Sequence, residues 1–331
     1  MELGYIAVGR QYRRYLCVLA PSQRFRRCAE HIEGERNLIG VYHLVAPFDF
    51  SKSAAAARFM AVVERRMADG AIRRLLRVDD TLALVELQDH GTLEQPAIEA
   101  HVLASNGEID PDALDAMIRR WLPREIDLTA FYATAQADAL LWALIAPCIG
   151  LRNFRTVSPF EALTTTIIEQ QIALVSAQRA ERWLIETFGD ALTHAGETYF
   201  AFPTPERIAA LTIDDLRPLK ITFRRMGAII DIARTVASGE LDFETLASDD
   251  RLTTIKGVGA WTAAWTTIRA HGVYPYMGSA DVALRAAVNR YIDDQSGRAD
   301  RPTTDALFAR YGDHAGIAAF YTLMRYAFEK Y

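Results

Sequence analysis

Residues 252–281, LTTIKGVGAWTAAWTTIRAHGVYPYMGSAD, bring three chemically useful features into one short stretch. Gly257-Val258-Gly259 breaks one helical run and opens another, and glycine supplies the positive φ and close backbone approach that such a hairpin needs. Backbone amides at the start of the second helix, with the positive end of its dipole, suit a phosphate. Trp261 and Trp265 stand four apart, hence on one helix face. Asp281 closes the apolar loop that follows. A phosphate clamp, an aromatic face and one carboxylate suit chemistry on a nucleobase. Each feature alone has a plainer reading: Gly-Val-Gly occurs in many turns, an i, i+4 tryptophan pair packs cores, and an Asp before a helix caps it.

The elements that must position these residues follow from the pattern around them. Val41–Val45 reads as a strand, Ser53–Met67 as an alanine-rich helix, and 72–78, 81–88 and 97–104 alternate or cluster apolar residues as strands do. Asn106-Gly107 is a turn, and Asp110 caps a helix from Pro111 to Trp121. Beyond Asp127 strand signals nearly vanish. Ser158-Pro-Phe-Glu161 is a capping box. Its helix leads to a second that runs to Phe188 and stops at Gly189. Further helices are expected from Thr204-Pro205, from Thr212, and over Arg224–Ala237, Phe243–Leu246, Asp250–Lys256, Ala260–Ala270, Asp281–Ile292 and Ala315–Phe328. The expected class is α+β: a basic extension over 1–40, a small mixed domain over 41–125, and an all-helical domain over 126–331 with a helix-hairpin-helix motif. The extension, with seven arginines against four glutamates, is a basic arm or an over-long start to the reading frame.

Composition narrows the class. The chain of 331 residues is 50% hydrophobic and 24% charged, with net charge −5, so nucleic acid would be met through a local patch rather than a polycationic surface. Only four residues are lysine: Lys52, Lys220, Lys256 and Lys330. Cys17, Cys28 and Cys148 have no metal-site spacing, in keeping with a reduced, intracellular protein. No signal peptide is evident, and the longest apolar run, Ala139–Leu151, is too short to span a bilayer.

Pro159-Phe-Glu-Ala-Leu163, Ile168-Glu-Gln-Gln-Ile172, Phe202-Pro-Thr-Pro-Glu-Arg207 and the hairpin through Asp281 stand in one order. In that order the chain resembles the helix-hairpin-helix DNA glycosylase superfamily, and is most similar to its 3-methyladenine DNA glycosylase II branch. The resemblance covers 41–331 and is strongest over 158–290. It implies the fold just read, with Asp281 as the catalytic carboxylate and Trp261 and Trp265 as base-pocket aromatics. Lys256, Gly257, Val258 and Gly259 become the DNA-binding hairpin. A monovalent Na+ or K+ would be held by the carbonyls of Thr253, Ile255 and Val258, and no other cofactor is required. Gln171, with Gln170 beside it, takes the place of the residue that enters the duplex when a base leaves it. The plainer reading is that these glutamines cap or cross-link the two helices. Departures from the family are Lys256, where proline is common, and the last helix, where Tyr321 is the nearest candidate for a pocket residue.

Each residue has a stated task under that resemblance. Arg224 and Arg225, with Arg217 and Lys220, extend the phosphate track or form a solvated helix face. An alkylated purine is cationic, and an indole face attracts it by about 1–2 kcal/mol when desolvated. Asp281 stabilises the oxocarbenium-like sugar and can orient or deprotonate water. Bifunctional relatives carry a Schiff-base lysine just after the hairpin, where this chain has Trp261. The iron–sulfur cluster of the endonuclease III branch is not expected, since no cysteine follows Cys148. The expected protein is a monomeric, monofunctional hydrolase of alkylated bases in double-stranded DNA, cytoplasmic and nucleoid-associated in a bacterium, with no membrane partner. The competing readings are an oxidised-purine glycosylase of the 8-oxoguanine type and a non-enzymatic DNA-binding protein that uses the hairpin as a clip.

Overall fold

The computed structural model describes residues 36–60, 62–242, 249–292 and 296–330. The N-terminal part is an antiparallel sheet in the order β1-β5-β4-β3-β2, from Asn37–His43 (β1), Arg65–Arg66 (β2), Ile72–Val78 (β3), Thr81–Asp89 (β4) and Ala97–Ser105 (β5). Residues of alternating parity point to opposite faces. Ile72, Leu76, Val85, Leu87, Ile98 and Ala100 build a core with helices Phe50–Met60 (α1) and Pro111–Trp121 (α2). Asp110 caps α2 as expected, accepting from the Asp112 amide at 2.9 Å.

Leu75, Leu82 and Leu84 face the other way and meet Tyr199 and Ala201. Here expectation and structure part. Ala191–His194 (β6) and Glu197–Phe200 (β7) form a hairpin inside the stretch read as all-helical. It covers the outer face of the sheet, and Arg73 Nη1 donates to the Tyr199 hydroxyl at 3.0 Å. Strands of four residues are too short for alternation to stand out. α1 also ends at Met60, seven residues before its expected end.

Thr129–Ala137 (α3) and Ala139–Ile145 (α4) begin the helical part, followed by Pro159–Glu169 (α5), Leu174–Phe188 (α6), Pro205–Ala209 (α7) and Phe223–Ala237 (α8). Asp249–Leu252 (α9), Ala260–His271 (α10), Val282–Ile292 (α11), Arg301–Ala309 (α12) and Ala315–Lys330 (α13) complete it. Sequence patterning did not mark α3, α4 or α12. The expected helix at Phe243–Leu246 lies outside the described residues, as does nearly all of the 1–40 extension. No helix among the described residues is long and apolar enough to cross a membrane.

Two cores divide these helices. One gathers α5 to α9, with Leu163, Ile167, Leu184 and Ile229 at its centre. The other joins α3, α4, α11, α12 and α13. α10 lies between them, giving Ala263 to the first and Trp265 and Ile268 to the second. The sheet is bolted to this arrangement by Arg74 of β3, which pairs with Glu161 of α5 at 2.5 Å and with Glu64 at 3.3 Å, all three side chains buried. Ser158 caps α5 through the Glu161 amide at 3.2 Å, but the Glu161 carboxylate goes to Arg74, so the capping box is made on one side.

Candidate active site

Asp281 ends the loop between α10 and α11, and both of its oxygens are engaged. Oδ1 accepts from the Leu284 amide at 2.8 Å and so caps α11. Oδ2 accepts from Trp261 Nε1 at 2.9 Å and from Trp265 Nε1 at 3.3 Å. The capping reading is therefore realised on Oδ1, while Oδ2 is turned to the two indoles. An indole N–H can only donate, so both rings are donors to Asp281, which is 7% exposed.

The loop before Asp281 is fixed from the far side. Asp305 of α12 accepts from the Ser279 amide at 3.1 Å, the Ser279 hydroxyl at 2.6 Å and the Tyr276 hydroxyl at 2.8 Å. Burial pushes the Asp305 carboxyl up, but the hydrogen bonds from Ser279 and Tyr276 outweigh it and hold it below the usual range. Gly316 lets α13 close on this loop: a Cβ there would stand 1.8 Å from the Tyr274 carbonyl oxygen.

The two tryptophans share the aromatic role unequally. Trp265 is buried, edge-on to Phe320 at 6.3 Å. The guanidinium of Arg269 is 5.5 Å from its ring centroid. Trp261, 6.3 Å from Trp265, is partly exposed and offers the accessible face. Tyr321 does not join them. It is fully buried, its hydroxyl donating to the Leu151 carbonyl at 2.6 Å and pairing with the Tyr132 hydroxyl at 2.7 Å. On α13 it is the preceding residue, Phe320, that reaches Trp265, because neighbouring helix positions point about 100° apart.

The hairpin stands at the open end of α10. Val258 is buried among the α5–α9 residues, while Lys256, Gly257 and Gly259 are exposed. Gly257 has φ +94°, a conformation that favours glycine. Gly259 is the N-cap of α10 and brings no side chain to its first-turn amides. Of the three carbonyls expected to hold a cation, that of Ile255 accepts the Val258 amide at 3.0 Å, which leaves it a second lone pair.

Beside the hairpin is the turn between α5 and α6. Gln170 takes the linking role, its amide donating to the Thr262 hydroxyl at 2.9 Å and the Gly257 carbonyl at 3.4 Å. Gln171 is exposed at the apex with φ +55°. Arg225 braces this turn, donating to the Gln170 carbonyl and, at 3.4 Å, to that of Ile168; burial pulls its guanidinium below its ordinary value. Arg224 is exposed, whereas Arg217 is paired with Asp214 at 2.7 Å.

Three features lay outside the sequence reading. Asp305 braces the Asp281 loop. Phe223, 59% exposed under the guanidinium of Arg217, stands beside Arg224. Arg269 continues the tryptophan row at the next i+4 position, a spacing that could have marked it.

No family model matches the chain. A DNA-3-methyladenine glycosylase of Bacillus subtilis is 39% identical over 158 residues, which is 46% of this chain and 52% of that one. The chain thus spans about half the length of the first curated relatives it matches. The DNA-3-methyladenine glycosylase 2 of Escherichia coli is 28% identical over 232 residues, covering 67% of this chain and 77% of its own. Among solved structures, a 3-methyladenine DNA-glycosylase from Archaeoglobus fulgidus superposes with TM-score 0.69 at 21% identity, over 88% of this chain and 99% of that one, a likeness of fold. In sequence the chain is thus similar to DNA-3-methyladenine glycosylases, and in fold to a solved 3-methyladenine DNA-glycosylase.

Proposed function

We propose that this protein is a monofunctional DNA glycosylase that hydrolyses the N-glycosidic bond of alkylated purines, of the 3-methyladenine type, in double-stranded DNA. The observation that carries the reading is the bonding of one buried carboxylate oxygen of Asp281 by two indole N–H groups, one of whose rings is accessible. A protein that only clips phosphates needs a cap on α11, which Oδ1 supplies, but has no use for a second carboxylate oxygen turned to an accessible indole.

The steps follow from the geometry. Amides near Gly257 and Gly259, with Lys256 and Arg224, hold the backbone without reading sequence. Gln171 enters the gap left when the damaged nucleotide swings out. Phe223, exposed beside Arg224, is a further candidate for contact with the strand. A cationic base stacks on Trp261 and needs little protonation to leave. Asp281 Oδ2 stabilises the sugar as positive charge develops at C1′ and orients the water that adds there. Trp261 stands where a lyase would need its amine, so the backbone is left uncut. The carbonyls of Thr253, Ile255 and Val258 are oxygen donors of the kind a Na+ or K+ takes, and such an ion would stiffen the hairpin. The protein acts as a monomer with no other cofactor.

The test is to treat duplex DNA with a methylating agent, incubate it with the protein and separate the released bases by chromatography. Free 3-methyladenine supports the reading. Release of 8-oxoguanine alone, from oxidised duplex, would favour the oxidised-purine reading instead.

A further inference from the structure

Arg269 is buried to 3% exposure and has no part in the steps above. Its guanidinium lies against the Trp265 ring, 5.5 Å from the centroid. Nη1 donates to the Thr166 hydroxyl at 2.9 Å and Nη2 to Glu169 Oε1 at 2.7 Å. Glu169 is the last residue of α5, two before Gln171. One side chain therefore touches both the indole that bonds Asp281 and the residue that leads into the exposed turn.

A second carboxyl completes the cluster. Glu181 of α6 is 2% exposed and hydrogen-bonds Glu169. Burial, then the charge of Glu169, push the Glu181 carboxyl well above its ordinary value. Burial also raises Glu169, against the pull of Arg269. Glu161 on α5 and Asp281 add further negative charge nearby. The guanidinium of Arg269 is thus the cation that faces this buried carboxyl pair, and a buried charge is tolerated where it is paired.

We propose that Arg269 is a positioning residue for the reaction, an inference that rests on the glycosylase reading. It holds Trp265, and so Asp281, on one side, and through Glu169 it ties the Gln171 turn to α10 on the other. Carboxylate placement and wedge placement then become one rigid unit. Arginine suits the position because a planar guanidinium can stack on a ring and fork to two acceptors at once, which a lysine ammonium cannot.

The experiment compares Arg269→Met, Arg269→Lys and Glu181→Gln with the wild type by single-turnover base release and DNA affinity. It also records the indole N–H resonances of the five tryptophans, with Trp265→Phe to assign that of Trp265. Arg269→Met is expected to shift the Trp265 resonance and speed its hydrogen exchange. It should slow release by roughly 10- to 100-fold, as a misplacement of about 1 Å does, while DNA affinity holds. Arg269→Lys should recover only part of the rate. Glu181→Gln should behave as wild type. Should Arg269→Met fail to fold, the pair Arg269→Met with Glu169→Gln removes both buried charges and takes the same measurements. An unmoved Trp265 resonance with an unchanged rate would reduce Arg269 to a structural ion pair and overturn the proposal. A wild type that releases no base overturns the glycosylase reading by itself, whereas the Trp265 resonance still decides whether Arg269 sets the indole.

Discussion

Trp261 Nε1 and Asp281 Oδ2 are 2.9 Å apart, so the ring proposed to receive a base is also a donor to the carboxylate proposed to act on the sugar. In the proposed reaction, stacking and charge stabilisation meet at this one hydrogen bond. Moving either residue moves the other.

Asp281→Asn removes the charge and little volume. Its amide oxygen can still accept from both indoles. Base release is expected to fall by roughly 100-fold or more, while DNA binding persists or tightens as repulsion of phosphate is relieved. Single-turnover assays alongside equilibrium binding separate the two effects. Trp261→Phe keeps a ring but loses the donor, and a smaller fall in rate is expected.

Borohydride reduction traps a Schiff base as a stable protein–DNA adduct. No specific adduct is expected, because an indole occupies the place a lyase gives to lysine. Lys256 is exposed on the hairpin, where the proposed function has it meet phosphate. An adduct that vanished in Lys256→Ala would make the enzyme bifunctional.

Gln171 separates stability from function. Its φ of +55° costs a non-glycine residue about 1 kcal/mol, so Gln171→Gly is expected to raise the melting temperature. The same variant, like Gln171→Ala, should weaken excision from duplex DNA far more than from single strands, where no gap forms. Equal losses on both substrates would return Gln171 to a helix-linking role.

The Glu64–Arg74–Glu161 bolt carries a pH signature. Burial pushes the Glu64 carboxyl up to about 7, against the pull of Arg74 and the hydrogen bond from Trp121. The folded state thus holds a proton that the unfolded chain gives up near pH 4.5. Stability is lost as pH rises from about 4.5 to 7, on the order of 3 kcal/mol for a shift of that size. Glu64→Gln should flatten this slope, with little effect at pH 4.5 and a gain above pH 7, read from melting temperatures across that range.

What the sequence disclosed follows from how local each signal is. Strands 72–78, 81–89 and 97–105 and helix Pro111–Trp121 announce themselves by alternation and by Asp110. β6 and β7 do not, since their four-residue strands are specified by contact with Leu75, Leu82 and Leu84 more than a hundred residues earlier. The site divides the same way. Asp281, Trp261 and the hairpin lie within thirty residues and could be read together. Which face of α13 meets Trp265 is settled only by packing, so Phe320 stands where Tyr321 was expected. The Arg269–Glu169 pair spans a hundred positions, and no spacing rule links its members.

Base release from methylated duplex DNA, by wild type and Asp281→Asn side by side, bears most directly on the proposed activity. Free 3-methyladenine from the wild type, with release by Asp281→Asn reduced at least 100-fold and DNA binding intact, is the expected result. Equal release by both proteins, or no methylated base released by the wild type, would contradict it.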